Sequence, residues 1–328
     1  MHTQRVVVLF TISMSLTPVL TECAHGSSNM TSIVTVEARF GDRDDEFGFS
    51  GIGEDAKKPV SAVACFTVTP DAVYIFDAVK RDIKMYSIAG KFQRAIPAIW
   101  DERGPLLAED MVVAGDHIHL LIDFNARPAN DPTFSRFQLF TFDRDGTPVT
   151  HRDIDIPELG KYEGRTRMVG TVRLLANEGT ISVYDEELQS SFTIVRNGKS
   201  SPKEKRVGRQ LSGSAETATA VRFNHAIQDI EILNSEGAVL KTISDGYLAA
   251  SSPDGFFAVE GRRTSDGRSW RTVTVYDSQG QPVGNFESPG RKSFPFRGFH
   301  DRFHMIGKEV YEIQVGPTSV QVFNWSQR

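Results

Sequence analysis

Eight histidines and two cysteines are the nitrogen and sulfur ligands of this chain, and their spacing decides what metal or nucleophile chemistry they could support. His117 and His119 stand two apart in the run His117-Ile118-His119-Leu120-Leu121-Ile122. On a strand that spacing turns both imidazoles to one face, which is how a Zn²⁺ site can begin. The same spacing equally suits two satisfied histidines at an exposed edge or between packed sheets. His300 and His304 flank a short apolar run near the end of the chain and complete the set of weak metal candidates. There is no His-Glu-x-x-His spacing and no cysteine pair to finish a zinc cluster.

The carboxylates suggest a different chemistry. Asp77, Asp123 and Asp185 each close an apolar run. An aspartate at a strand end ordinarily caps the next turn by accepting backbone N–H bonds. Several of them around a channel mouth would instead make an oxygen site for Ca²⁺. Cys65 lies within an apolar run, where a thiol reads as a small buried hydrophobe rather than a nucleophile. Neither Gly-x-Ser-x-Gly nor a P-loop is present, which leaves serine hydrolysis and nucleotide cleavage without a motif. Two basic clusters, Lys199 to Arg209 and Arg262-Arg263 with Arg268 and Arg271, offer either a patch for an anionic partner or solvated loops.

All of these residues sit on or beside short strands. From Phe47 to Pro97 the chain runs Phe-Gly-Phe-Ser-Gly-Ile-Gly, then Pro59, then Val60 to Val68, Val73 to Asp77, Ile83 to Ile88 and Lys91 to Ala95, with turn residues at each junction. Four strands in about 40 residues is the size of one propeller blade. The rhythm continues through Met111 to Ile154, Thr171 to Arg196, Thr219 to Ile243, Tyr247 to Phe286 and Phe303 to Trp325. No useful 3.6 period appears after the N-terminus. The polar stretch Ser200 to Glu216 reads as an exposed loop or an irregular inner strand. The final unit has only three strands, and Ile33 to Phe40 has no blade of its own in front of it. Joining the two closes the ring and removes an open sheet edge. The expectation is an all-β, six-bladed propeller of four-stranded antiparallel blades, about 45 residues each, over residues 32–328. The aromatics, including Trp100, Trp270 and Trp325, are expected to fill the spaces between blades.

The Gly-rich lead-in, the proline, the buried strand, the Tyr-x-x-Asp end at Tyr74 to Asp77 and the Lys80-Arg81-Asp82-Ile83 step resemble the NHL repeat. That resemblance covers the first blade well, the fifth partly, and the others in strand rhythm. It implies a binding scaffold that docks a protein or other ligand through one loop face. Related six-bladed propellers include lactonases and amidating lyases that hold a divalent ion in the channel, so the resemblance also implies an alternative: a metal-dependent enzyme using Ca²⁺ or Zn²⁺. No ligand set of either family maps onto this chain, and the scaffold needs no cofactor.

The first 23 residues carry a targeting pattern: Arg5, then the apolar Val6 to Leu20, then Cys23. Leu20-Thr21-Glu22-Cys23 resembles a bacterial lipobox, which implies lipidation of Cys23, although Glu22 stands where that motif has a small residue. Ordinary cleavage after Ala24 or Gly26 is the other reading. Residues 24–31 are expected to form a polar spacer. The chain is therefore expected to be exported: periplasmic, anchored to the outer membrane through lipid alone, or secreted. With Cys23 lost or anchored, Cys65 has no partner for a disulfide. A net charge of −5 gives no basic stripe for nucleic acid. A monomer is expected, its partner an unknown protein or small molecule.

Overall fold

Period-two alternation, broken every six or seven residues by Gly, Asn or Asp, commits the chain to short antiparallel strands. The computed structural model describes residues 28–50, 60–61, 63–98, 107–123, 137–159, 172–177, 179–186, 188–201, 204–211, 220–224, 227, 229–244, 246–265, 268–288, 303–316 and 318–327. These form six blades of four antiparallel strands. Blade one is Val63–Val68, Ala72–Asp77, Asp82–Ser87 and Phe92–Pro97. Blade two is Leu107–Ala114, His117–Asp123, Phe137–Asp143 and Pro148–Ile154. Blade three is Val172–Asn177, Thr180–Asp185 and Ser190–Arg196, with an outer strand broken into Lys199–Ser200 and Lys205–Val207. Blade four is Arg209–Gln210, Ala220–Asn224, Asp229–Leu233 and Val239–Ile243. Blade five is Gly246–Ser251, Phe257–Ser265, Arg268–Tyr276 and Pro282–Ser288. Blade six is Phe303–Ile306, Glu309–Val315 and Ser319–Ser326, completed by the N-terminal Thr31–Arg39.

The ring closes as the strand count required. Thr31–Arg39 pairs antiparallel with Ser319–Ser326, from Thr31 opposite Ser326 to Arg39 opposite Ser319. Ser28–Asn29 runs parallel to the outer strand of blade five, with Ser28 opposite Gly284. Met30 follows as a buried side chain between blades five and six. Gly284, lacking a Cβ, leaves room for its thioether. The described residues 204–211 serve two blades. Lys205–Val207 finishes blade three, and after Gly208 the two-residue Arg209–Gln210 is the inner strand of blade four.

Five apolar clusters join neighbouring blades. They lie between blades one and two around Tyr74 and Phe142, two and three around Leu121 and Phe192, four and five around Ile232 and Phe257, five and six around Phe286, and six and one around Ile313 and Phe66. In blade six Trp325 stacks on Phe286 with centroids 4.3 Å apart and donates its indole N–H to buried Glu312. Among the described residues no such cluster joins blades three and four.

Candidate functional site

The inner strands of all six blades surround one cavity of about 460 Å³. Thr67, Asp110, Leu175, Arg209, Ser252 and His304 represent blades one to six on its wall. On the third side the cavity extends outward across the surface of blade three. The register explains why. In that blade Ile181, Val183, Phe192 and Val195 face blade two and enter the apolar cluster there. Alternation sends the intervening residues to the opposite face. There Thr180 lies opposite Arg196, Ser182 opposite Thr193 and Tyr184 opposite Ser191. All of these except Tyr184 line the cavity. The corresponding face of blade four, opposite the one packed on blade five, carries Arg222, Asn224 and Glu231. Glu231 accepts bonds from both Arg222 and Asn224. The same face carries the buried pair Ala220 and Leu233, so the seam between blades three and four is mixed on the blade-four side and mainly polar on the blade-three side.

Hydrogen bonds hold this seam. Gln189, at φ +50°, accepts at Oε1 from Tyr184 Oη (2.8 Å) and from the backbone N–H of Phe223 in blade four (2.6 Å). Ser191 donates to the Gly208 carbonyl at 2.7 Å. Burial pushes the Tyr184 hydroxyl well above the usual range, so it remains a donor. Arg196 and Arg206 reach the cavity from the third and outer strands of blade three. Glu204, in the break of the outer strand, bridges them at 3.1 and 3.0 Å. The Arg206 hydrogen bond, with its charge and that of Arg196, holds this carboxyl below its usual range. Arg209 adds a third guanidinium at the start of blade four.

The sequence-predicted candidates fall in several places. His117 and His119 are adjacent, with rings 6.1 Å apart, on the second strand of blade two. His119 is buried against Thr141, 3.0 Å from Nδ1 to Oγ1. Burial, then the neighbouring charges of His117 and Arg152, lowers its pKa to about 4. His304 stands apart from them on the cavity wall, 3.1 Å from Thr67 Oγ1. His300 and Cys23 lie outside the described residues, as does Trp100. Asp77 caps its turn: Oδ1 accepts from Val79 and Lys80, and Oδ2 from Gly48. Asp185 accepts from Leu188 in the same way. Asp123 is buried at its strand end. Cys65 is buried in the cluster between blades one and two. Among the described residues no three His, Cys, Asp or Glu side chains gather into a metal-holding group.

What sequence reasoning missed is the polar face of blade three. Its signal was present as clean alternation in Thr180-Ile181-Ser182-Val183 and Ser191-Phe192-Thr193, which resembles an ordinary solvent-facing strand. Inside a propeller both faces of a blade meet neighbours, so the hydroxyl face needed the blade order before it could stand out.

No protein-family model and no curated protein matches the chain. Solved structures do resemble it. A streptogramin B lyase is 8% identical at TM-score 0.44, covering 91% of this chain and 98% of that one. Virginiamycin B lyase from Staphylococcus aureus is 11% identical at TM-score 0.41, covering 81% and 95%. A protein of unknown function from Desulfotomaculum acetoxidans is 13% identical at TM-score 0.46, covering 89% and 94%. These likenesses concern architecture alone.

Proposed function

We propose that this chain is an exported, monomeric propeller that acts as a non-enzymatic binding module, tethered to the cell envelope by a lipid on Cys23. The observation that supports binding is the cavity at the centre of the ring, whose wall continues onto the hydroxyl face of blade three. Its volume lies within the range of small-molecule sites. It reaches the ring face formed by turns between first and second strands, where Ser252, Pro253 and Asp254 contribute. A ligand entering there would meet backbone and side-chain donors preset by six rigid sheets.

Native mass spectrometry of the full chain purified from its own cells tests this reading. A retained small molecule that disappears when Thr193→Trp fills the cavity is the expected result. A wild-type chain that carries nothing, yet turns over lactone or ester substrates after reconstitution with Ca²⁺ or Zn²⁺, would replace it with the enzyme alternative. The anchor is tested separately. Cys23→Ser is expected to move the chain from the membrane fraction to the soluble one, and identical fractionation of both forms would remove the lipid.

A further inference from the structure

We infer that the seam between blades three and four binds the oxyanion end of a small organic acid or phosphate ester. This rests on the binding reading above and names the ligand class for it.

The first ground is chemical. Arg196, Arg206 and Arg209 reach one cavity wall, beside the hydroxyls of Ser182 and Thr193, themselves 3.4 Å apart. Guanidinium forks offer paired N–H donors that match carboxylate and phosphate oxygens, and adjacent hydroxyls take the remaining lone pairs. Glu204 pairs with two of the guanidinium groups, at 3.1 and 3.0 Å. The cavity's own carboxylates are engaged elsewhere. Asp110 accepts from the backbone N–H groups of Met111 and Leu174, and Asp254 from Ser252 and Gly307.

The second ground is architectural and independent of charge. Five seams of the ring are closed by apolar side chains, whereas this one presents Thr180, Ser182, Ser191 and Thr193 where its neighbours present Val, Leu, Ile and Phe. Hydroxyls in place of core residues forfeit burial energy and must find partners. With hydroxyls and guanidinium groups on its blade-three wall, this seam is suited to a hydrated oxyanion rather than to an apolar guest.

Inorganic phosphate is the probe. With the full chain at constant ionic strength, phosphate is expected to raise the melting temperature saturably, with chloride having no such effect. Arg206→Met should weaken the apparent affinity about tenfold or more, and Arg206→Lys, which keeps charge but loses the fork, by an intermediate factor. Lys91→Gln, in a distant turn of blade one, should leave it unchanged. If Arg206→Met fails to fold, the Lys variant alone carries the comparison. Equal phosphate affinity in both Arg206 variants and wild type would mean an adventitious ion elsewhere and would overturn the inference. So would a neutral molecule retained in the native spectrum and expelled by Thr193→Trp, although the binding reading would then survive.

Discussion

Asp77 and Asp277 perform one task in two surroundings. Each receives backbone N–H groups across a turn: Asp277 from Gln279 and Gln281 near solvent, Asp77 from Gly48, Val79 and Lys80 in a fully buried position. Asp77 also lies 3.9 Å from the ammonium of Lys84, itself fully buried and bonded to Asp82 and the Asp44 carbonyl. Removing it takes the acceptor from three backbone N–H groups and leaves buried Lys84 with Asp82 as its carboxylate, whereas removing Asp277 exposes amides that water can reach. Asp77→Ala should therefore cost roughly 3–5 kcal/mol and Asp277→Ala about 1 kcal/mol, read from denaturant midpoints. Equal costs would mean that the Lys84 network is not tight. His119 gives the pH dependence at this scale. Its folded pKa is depressed from 6.5 to about 4, so the unfolded chain binds the extra proton. Its contribution is complete above pH 6.5 and is lost as pH falls from there to 4, amounting to roughly 3 kcal/mol at most. Unfolding curves at pH 7 and pH 5 should converge for His119→Gln relative to wild type. An unchanged pH slope in that variant would place the proton elsewhere.

At the scale of strands and turns, the turns between third and outer strands repeat one device. Ser87, Asp143, Asn234 and Asp277 each begin a turn closed by a glycine three residues on, and each of those glycines has positive φ. Gly90 also supports the next blade contact. A Cβ there would lie 1.8 Å from the Thr35 carbonyl oxygen of blade six, so Gly90→Ala meets both the left-handed backbone and a backbone wall. Gly237 meets only the first. Gly90→Ala should cost roughly 3 kcal/mol or more, and Gly237→Ala about 1–2 kcal/mol, measured by thermal or urea unfolding. Similar losses would mean that the Thr35 carbonyl yields to a Cβ at little cost. These turns and the alternation between them made the blades legible in sequence, including closure by Ile33 to Phe40. The inner strand of blade four was legible only as one of two alternatives for Ser200 to Glu216. Arg209–Gln210 has two residues and no apolar period, and its backbone pairing with Ala220 and Val221 leaves no mark on composition. The basic run from Lys199 to Arg209 was visible as a patch, but its place on a cavity wall depends on the break in the outer strand of blade three.

For the whole ring, unequal seams imply unequal stability. Sheets joined by buried apolar area resist separation in proportion to that area, and a seam held by a few hydrogen bonds opens at lower cost. The latch between blades three and four consists of Gln189 with Tyr184 and Phe223, together with Ser191 on Gly208. The seam between blades one and two buries Tyr74, Phe76, Ile83 and Phe142 completely. A closed ring cannot fray from an edge, so its first excursion should be a gap at the weakest seam. Backbone amides of Ser190–Thr193 and Gly208–Gln210 should then exchange with solvent at least about tenfold faster than those of Val63–Val68 under native conditions. Gln189→Ala removes an acceptor shared by two donors from opposite sides, and should raise the seam rates further while leaving Val63–Val68 unaffected. Uniform protection around the ring would mean that polar contacts close this seam as tightly as packing closes the others. A latch variant that accelerates every blade alike would show the propeller opening as one cooperative unit.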